Sequence, residues 1–192
     1  VQTVVAEGEP VGFIRGYKAI LNPDNPLKEI LPLQNLGSTL PTAYGNFSLS
    51  ASYKNLSFML SGDYQYGAYV HSFDRQFRFS KGLKDDAIPE KALEGLDQGA
   101  NWLNFTNFFV EKSDFLKIRN IGIAYDYKPK KYLKSVNLAF NVYNPFAFTA
   151  SSVDPEAALA GARSQGAVAV GGLNYSSYST PRQYVGTIRV SF

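Results

Sequence analysis

The sequence predicts an all-β chain: an antiparallel sheet forming part of a transmembrane β-barrel with long extracellular loops. Three observations predict it. Apolar and polar residues alternate with period two over stretches of up to eleven residues, about the length of a tilted membrane strand and longer than the usual strand. Short turns alternate strictly with long connections, which is the asymmetry of outer-membrane barrels. Aromatic residues make up 15% of the chain, and Tyr44, Tyr53, Tyr64 and Tyr66 gather at strand ends, where an interfacial girdle needs them.

Composition narrows the function classes. The 192 residues, 45% of them hydrophobic, suffice for one domain with a sizeable core. A net charge of +3 is too small to argue for nucleic acid, and no basic run is interleaved with aromatics. Without cysteine there is neither a disulfide framework nor a thiolate metal site. No stretch approaches the roughly 20 apolar residues of a membrane helix, which excludes helical spans alone. Val1 does not open a signal peptide, so the numbering reads as the interior and end of a longer chain.

The elements follow in order. Gly8 and Pro10 interrupt any helix, and Val11 to Tyr17 reads as a weak strand. Residues 21–43 carry Pro23, Pro26, Pro32 and Pro41 and read as a loop. From Asn46 to Tyr53, Phe47, Leu49, Ala51 and Tyr53 face one way and Ser48, Ser50 and Ser52 the other. Lys54-Asn55 is a tight turn. From Leu56 to Tyr66 the pattern resumes, with Leu56, Phe58, Leu60, Gly62, Tyr64 and Tyr66 opposite Ser57, Met59, Ser61, Asp63 and Gln65. Residues 67–114 form a second long connection, polar and mixed. Phe73 to Phe79 there is a short helix or an extended segment, and Ile88 to Leu96 has helical composition.

Phe115 to Tyr127 is a strand whose phase slips between Leu116, Ile118 and Ile121, Ile123, Tyr125, Tyr127. A bulge near Arg119-Asn120 reconciles the two halves. Lys128 to Ser135 is a basic turn. Val136, Leu138, Phe140 and Val142 then alternate with Asn137, Ala139 and Asn141. Residues 149–183 make a third long loop, and the chain closes on a strand with Tyr184, Gly186, Ile188, Val190 and Phe192 on one face. That gives about six strands, short of the roughly eight that close a membrane barrel, so others must come from sequence not shown or from another chain.

In such a barrel Phe47, Leu49, Leu56, Phe58, Leu60, Leu138, Phe140, Val142, Ile188 and Val190 face lipid. Ser57, Ser61, Asp63, Gln65, Asn137, Asn141, Thr187 and Arg189 face the lumen, against water or a plug. No catalytic constellation survives inspection, so no enzyme and no cofactor is expected. His71 is the only histidine, which leaves no triad or multi-histidine metal site. Asp85-Asp86 with Glu90 or Glu94 lacks EF-hand spacing, and Gly161 to Gly172 contains no phosphate-binding loop. Asp154 and Glu156 read as a turn fixed by Pro155. Lys128, Lys130, Lys131 and Lys134 read as a solvated or headgroup-facing cluster. Substrate or lid contact falls to loop aromatics and polar groups: His71, Trp102, Tyr175 and Tyr178.

Glu7-Gly8-Glu9-Pro10-Val11-Gly12 with Arg15-Gly16-Tyr17 resembles the "eGePvG…yGy" segment of SusC/RagA-type TonB-linked outer-membrane transporters. Tyr53-Lys54-Asn55 resembles their "YKN" turn, and Asp114 to Tyr125 their "sFlRlkNisLgY". Asn141-Val142-Tyr143-Asn144-Pro145-Phe146 is similar to their "v.gqNlf" strand, Asp154-Pro155-Glu156 to their "DPE" loop, and the end to their "…P…y..glnvsF". Lys117 stands where the family often has Arg, the "gqN" is altered, and the loop 149–183 is richer in Ala and Gly. These departures bear on substrate class.

The resemblance implies that residues 1–192 are the C-terminal part of a barrel of about twenty-two strands, with the plug domain and TonB box outside this sequence. It implies import of oligosaccharides or peptides, energy from the TonB complex through N-terminal parts, and a SusD-like surface lipoprotein as lid. It also implies the bacterial outer membrane, with long loops extracellular and the C-terminus periplasmic. Phe192 resembles a barrel-assembly signal. Alternation and aromatic content alone equally fit a soluble or surface β-sandwich that binds carbohydrate, or a secretion or adhesion barrel.

Overall fold

The computed structural model describes residues 2–22, 25–129, 133–154, 173–174 and 178–192. Its strands are β1 (Gln2–Val4), β2 (Phe13–Asn22), β3 (Asn25–Ser38), β4 (Ala43–Tyr53), β5 (Leu56–Tyr66), β6 (Tyr69–Ser72), β7 (Val110–Lys112), β8 (Phe115–Tyr127), β9 (Ser135–Thr149), β10 (Leu173–Asn174) and β11 (Gln183–Ser191). Two α-helices, α1 (Phe73–Ser80) and α2 (Gln98–Asn101), and 3-10 turns at Glu90–Leu93 and Trp102–Phe109 complete the elements. The fold is all-β and antiparallel in its long strands, as the periodicity predicts. The chain divides into two compact units: residues 44–65, 115–148 and 180–192 in one, residues 1–43, 66–114 and 149–179 in the other.

The first of these is a single five-stranded sheet in the order β11-β9-β8-β5-β4. Its register follows the apolar pattern, because a slip by one residue would exchange the two faces. Leu56, Phe58 and Leu60 pair with Tyr125, Ile123 and Ile121. Tyr184, Gly186, Ile188 and Val190 pair with Val142, Phe140, Leu138 and Val136. The phase slip in β8 is a bulge: Ser61 pairs with Asn120 and Gly62 with Ile118, leaving Arg119 as the extra residue. Arg119 and Asn120 thereby both fall on the polar face, where Arg119 forks onto the Asp63 carboxylate.

Lys54, at φ 54°, makes the two-residue turn between β4 and β5. Asn55 carbonyl accepts from Asp126 N–H at 2.8 Å, and Ser191 carbonyl from Lys134 N–H at 2.9 Å. The short connections and the end of β11 therefore share one edge of the sheet. From the opposite edge the chain runs out into the segments of the other unit.

That other unit corrects the expectation of unstructured loops. Residues 21–43 are not a loop: β3 covers fourteen of them and pairs antiparallel with β2, which pairs in turn with β1. The prolines are tolerated because β3 is irregular. Gly16 pairs with Gln34 but Lys18 with Leu31, so Pro32 and Leu33 sit in a bulge, with Leu33 at φ 52°; a residue without an N–H costs no ladder bond there. The strand predicted at Val11 to Tyr17 lies in this sheet, so five of the six predicted strands, rather than all six, build the large sheet.

Residues 67–114 carry a core of their own. Phe79, Ile88, Ala92, Phe105 and Phe109 are buried against Ala19 of β2, with the Phe79 ring centroid 5.4 Å from Phe105 and 5.5 Å from Phe109. Asn107 clamps β2 to this core. Its Oδ1 accepts from Ala19 N–H at 2.9 Å, and its Nδ2 donates to Ala19 carbonyl at 3.2 Å. Phe73 to Phe79 is helical, as one of its two readings has it.

Candidate functional site

The five-stranded sheet has two chemically distinct faces, and their burial is inverted relative to a soluble sheet. On the apolar face Leu49, Leu56, Phe58, Ile123, Tyr125, Leu138, Phe140, Ile188 and Val190 are exposed. On the other face Ser57, Ser61, Asp63, Gln65, Asn137 and Asn141 are half-buried, and Lys117 and Asn120 are buried. Thr187 and Arg189, on the edge strand, are exposed. A contiguous apolar surface of this extent marks contact with another protein or a membrane.

The polar face is closely packed. A Cβ at Gly122 would run into the Asn141 amide, and Lys117 Nζ lies 5.3 Å from the Phe115 ring centroid. Gly62, on the apolar face, leaves room for Phe47, whose Cζ stands 2.5 Å from where a Cβ would be. No helix is long and apolar enough to cross a membrane among the described residues, which says nothing of strands.

Of the four residues singled out for substrate or lid contact, the structure brings two together. His71 is fully buried, and its Nε2 donates to Gln76 Oε1 at 2.6 Å. Gln76 Nε2 in turn donates to Trp102 carbonyl at 3.1 Å and to Thr106 Oγ1 at 3.0 Å. Trp102 is half-buried, edge-on to Phe73 with centroids 6.0 Å apart. Both therefore pack the unit's interior instead of standing out from it. Tyr178 is 94% exposed. Tyr175 lies outside the described residues, as do Lys130, Lys131, Glu156 and the 161–172 segment.

Burial pulls the His71 pKa from its ordinary 6.5 down to about 4, with the Gln76 hydrogen bond opposing in part. With Nε2 donating, the neutral ring leaves Nδ1 a bare acceptor, and that atom has no partner. The unfolded chain binds a proton at His71 below about pH 6.5 and the folded chain only below about pH 4, so stability falls as pH drops through that window. At pH 5 the loss is about 2 kcal/mol relative to pH 7. Hydrogen exchange at the β6 amides should accelerate accordingly, and His71→Gln should abolish the change; an unchanged pH profile in that variant would assign it elsewhere.

A charged hub that no local sequence signal announces sits at Arg75 on α1. Its guanidinium forks onto Asp85 and meets Glu111 of β7, while its Cζ stands 5.7 Å from the Phe109 ring centroid. Glu111 also accepts from Ser152 N–H at 2.5 Å and Ser152 Oγ at 2.7 Å. Burial pushes the Asp85 pKa up, but hydrogen bonds from Arg75 and the Ala87 N–H outweigh it and hold the carboxyl below its ordinary value. Among the described residues no cluster of His, Asp and Glu is placed to hold a metal ion.

No family model and no curated protein matches the chain. Solved structures do. The RagAB peptide importer in its open-open state aligns over 94% of this chain at 19% identity with a TM-score of 0.61. The closed-closed state gives 94%, 19% and 0.65, and a further structure of the RagAB peptide transporter 94%, 21% and 0.64. The chain shares its fold with part of these transporters. It spans 22 to 23% of their length.

Proposed function

We propose that this chain forms part of the wall and loops of an outer-membrane importer of the SusC/RagA type. The carrying observation is the inverted sheet, with apolar side chains exposed on one face and polar ones half-buried on the other. Lipid accounts for the first face and a polar barrel interior for the second. The lipid-facing row would be Phe47, Leu49, Leu56, Phe58, Leu60, Leu138, Phe140, Val142, Ile188 and Val190. The lumen-facing row would be Ser57, Ser61, Asp63, Gln65, Asn137, Asn141, Thr187 and Arg189.

The remaining strands, the plug and the TonB-contacting segment would be supplied outside residues 1–192, with Phe192 closing the barrel as assembly signal. In this reading the short-turn edge is periplasmic and the unit built from the long segments is extracellular. A SusD-like lipoprotein would cover it, and TonB would drive import of peptides or oligosaccharides. Tyr178 and Tyr175 remain the contact candidates, whereas the burial of His71 and Trp102 suits a supporting role. The likeness to a peptide importer favours peptide over glycan.

The native full-length protein, extracted from membranes, should migrate differently before and after boiling and should co-purify with a lipoprotein chain. A protein soluble without detergent, with no mobility shift, would sink the reading.

A further inference from the structure

We propose that the apolar face of the five-stranded sheet carries a groove for one acyl chain of an anionic phospholipid, with lysines at the short-turn edge holding the headgroup. The inference rests on the membrane reading above and adds a defined site to it. Gly186 is the starting point. It stands on β11 in a row with Tyr184, Ile188 and Val190, opposite Phe140. A glycine inside a strand weakens it and usually marks a bulge or a close backbone approach. Neither is present: β11 and β9 pair without a break from Gln183 to Ser191, and a Cβ at Gly186 would meet nothing within 4 Å.

The missing side chain instead opens a depression of about 470 Å³, walled by Leu56, Ile123, Tyr125, Leu138, Phe140 and Ile188. The groove runs to the short-turn edge, because Leu56 and Tyr125 pair immediately before the Lys54-Asn55 turn. Lys54, Lys128 and Lys134, all exposed, stand at that edge. The acid beside them, Asp126, is engaged by Asn137 Nδ2 at 2.7 Å, so three cations face one carboxylate.

Charge complementarity therefore calls for a phosphate at the edge, and the walls call for a hydrocarbon chain beyond it. The reach agrees. Ser135 to Phe140 spans roughly 17 Å along the strand, and a strand tilted by about 45° descends less than the roughly 15 Å of one leaflet. Each lysine near an anionic surface adds attraction independent of the groove, so headgroup and chain contributions are separable by mutation.

The test uses the full-length protein, delipidated in detergent and titrated with phosphatidylglycerol or phosphatidylcholine, with bound lipid counted by native mass spectrometry. Phosphatidylglycerol should be retained preferentially. Gly186→Phe, which fills the notch, should weaken retention of both lipids about tenfold while the boiled and unboiled bands still differ. Lys54→Gln/Lys128→Gln/Lys134→Gln should erase the preference for phosphatidylglycerol and leave phosphatidylcholine binding unchanged. Equal retention by wild type and Gly186→Phe in an intact barrel would overturn the groove, and a wild type without headgroup preference would overturn the lysine rim. A native protein with no heat-modifiable band would overturn the membrane reading itself, and the site with it.

Discussion

Replacing Ile188 by arginine should destabilise the assembled protein by about 2–4 kcal/mol, the cost of a cation on the lipid face near the bilayer midplane. The same replacement at Thr187 should cost little. The two positions are neighbours in β11, they pair with Leu138 and Ala139 of β9, and they differ only in the face they present. Ile188 is 75% exposed. In a protein surrounded by water, an exposed edge-strand residue tolerates substitution to within about half a kcal/mol, and both arginines would be silent. The pair therefore reports what solvent touches the apolar face. Urea titration of the protein refolded into lipid vesicles, or the yield of heat-modifiable protein in membranes, reads the difference. Equal behaviour of the two variants would remove lipid from that face.

The sheet was legible because its two faces differ in polarity all the way along. Alternation fixes both strand and register in such a case, and even the slip in β8 could be placed at Arg119-Asn120 from Leu116, Ile118 and Ile121, Ile123. β3 was not legible. Pro26 and Pro32 read as strand breakers, and only pairing with β2, bulged at Tyr17, shows that their missing N–H groups leave the ladder intact. The interior of residues 67–114 was hidden for a different reason. Its core is assembled from single turns that each contribute one or two rings, too short for helical periodicity to accumulate. Phe105, Phe108 and Phe109, spaced i, i+3, i+4, were the available signal. Without that core in view, His71 and Trp102 read as exposed loop residues, when they are joined through Gln76 in the unit's interior. The Arg75 hub has no sequence signature, because its partners lie 10, 36 and 77 residues away.

That hub carries the second large effect. Arg75→Met should cost about 3 kcal/mol within the unit built from residues 1–43, 66–114 and 149–179. Removing one member of a buried ion pair costs about 3–5 kcal/mol, chiefly because the partner is left charged without compensation. Here two carboxylates, Asp85 and Glu111, lose the same cation, although Arg75 is 21% exposed and water softens the loss. Arg75→Lys should recover only part of it, since an ammonium cannot fork onto Asp85 while reaching Glu111. Glu111 also holds Ser152, so the damage should extend beyond α1 to the segment after β9, 77 residues away. Hydrogen exchange on the membrane-inserted protein should show α1, β7 and the 150–153 amides losing protection together, on the order of a hundredfold, while β5, β8 and β11 keep theirs. Loss confined to α1 would mean that Arg75 anchors its own helix alone. Joint loss would make the hub the device by which two long connections and the helix between them hold one shape above the sheet's long-loop edge, the shape any partner or substrate at the loops would meet.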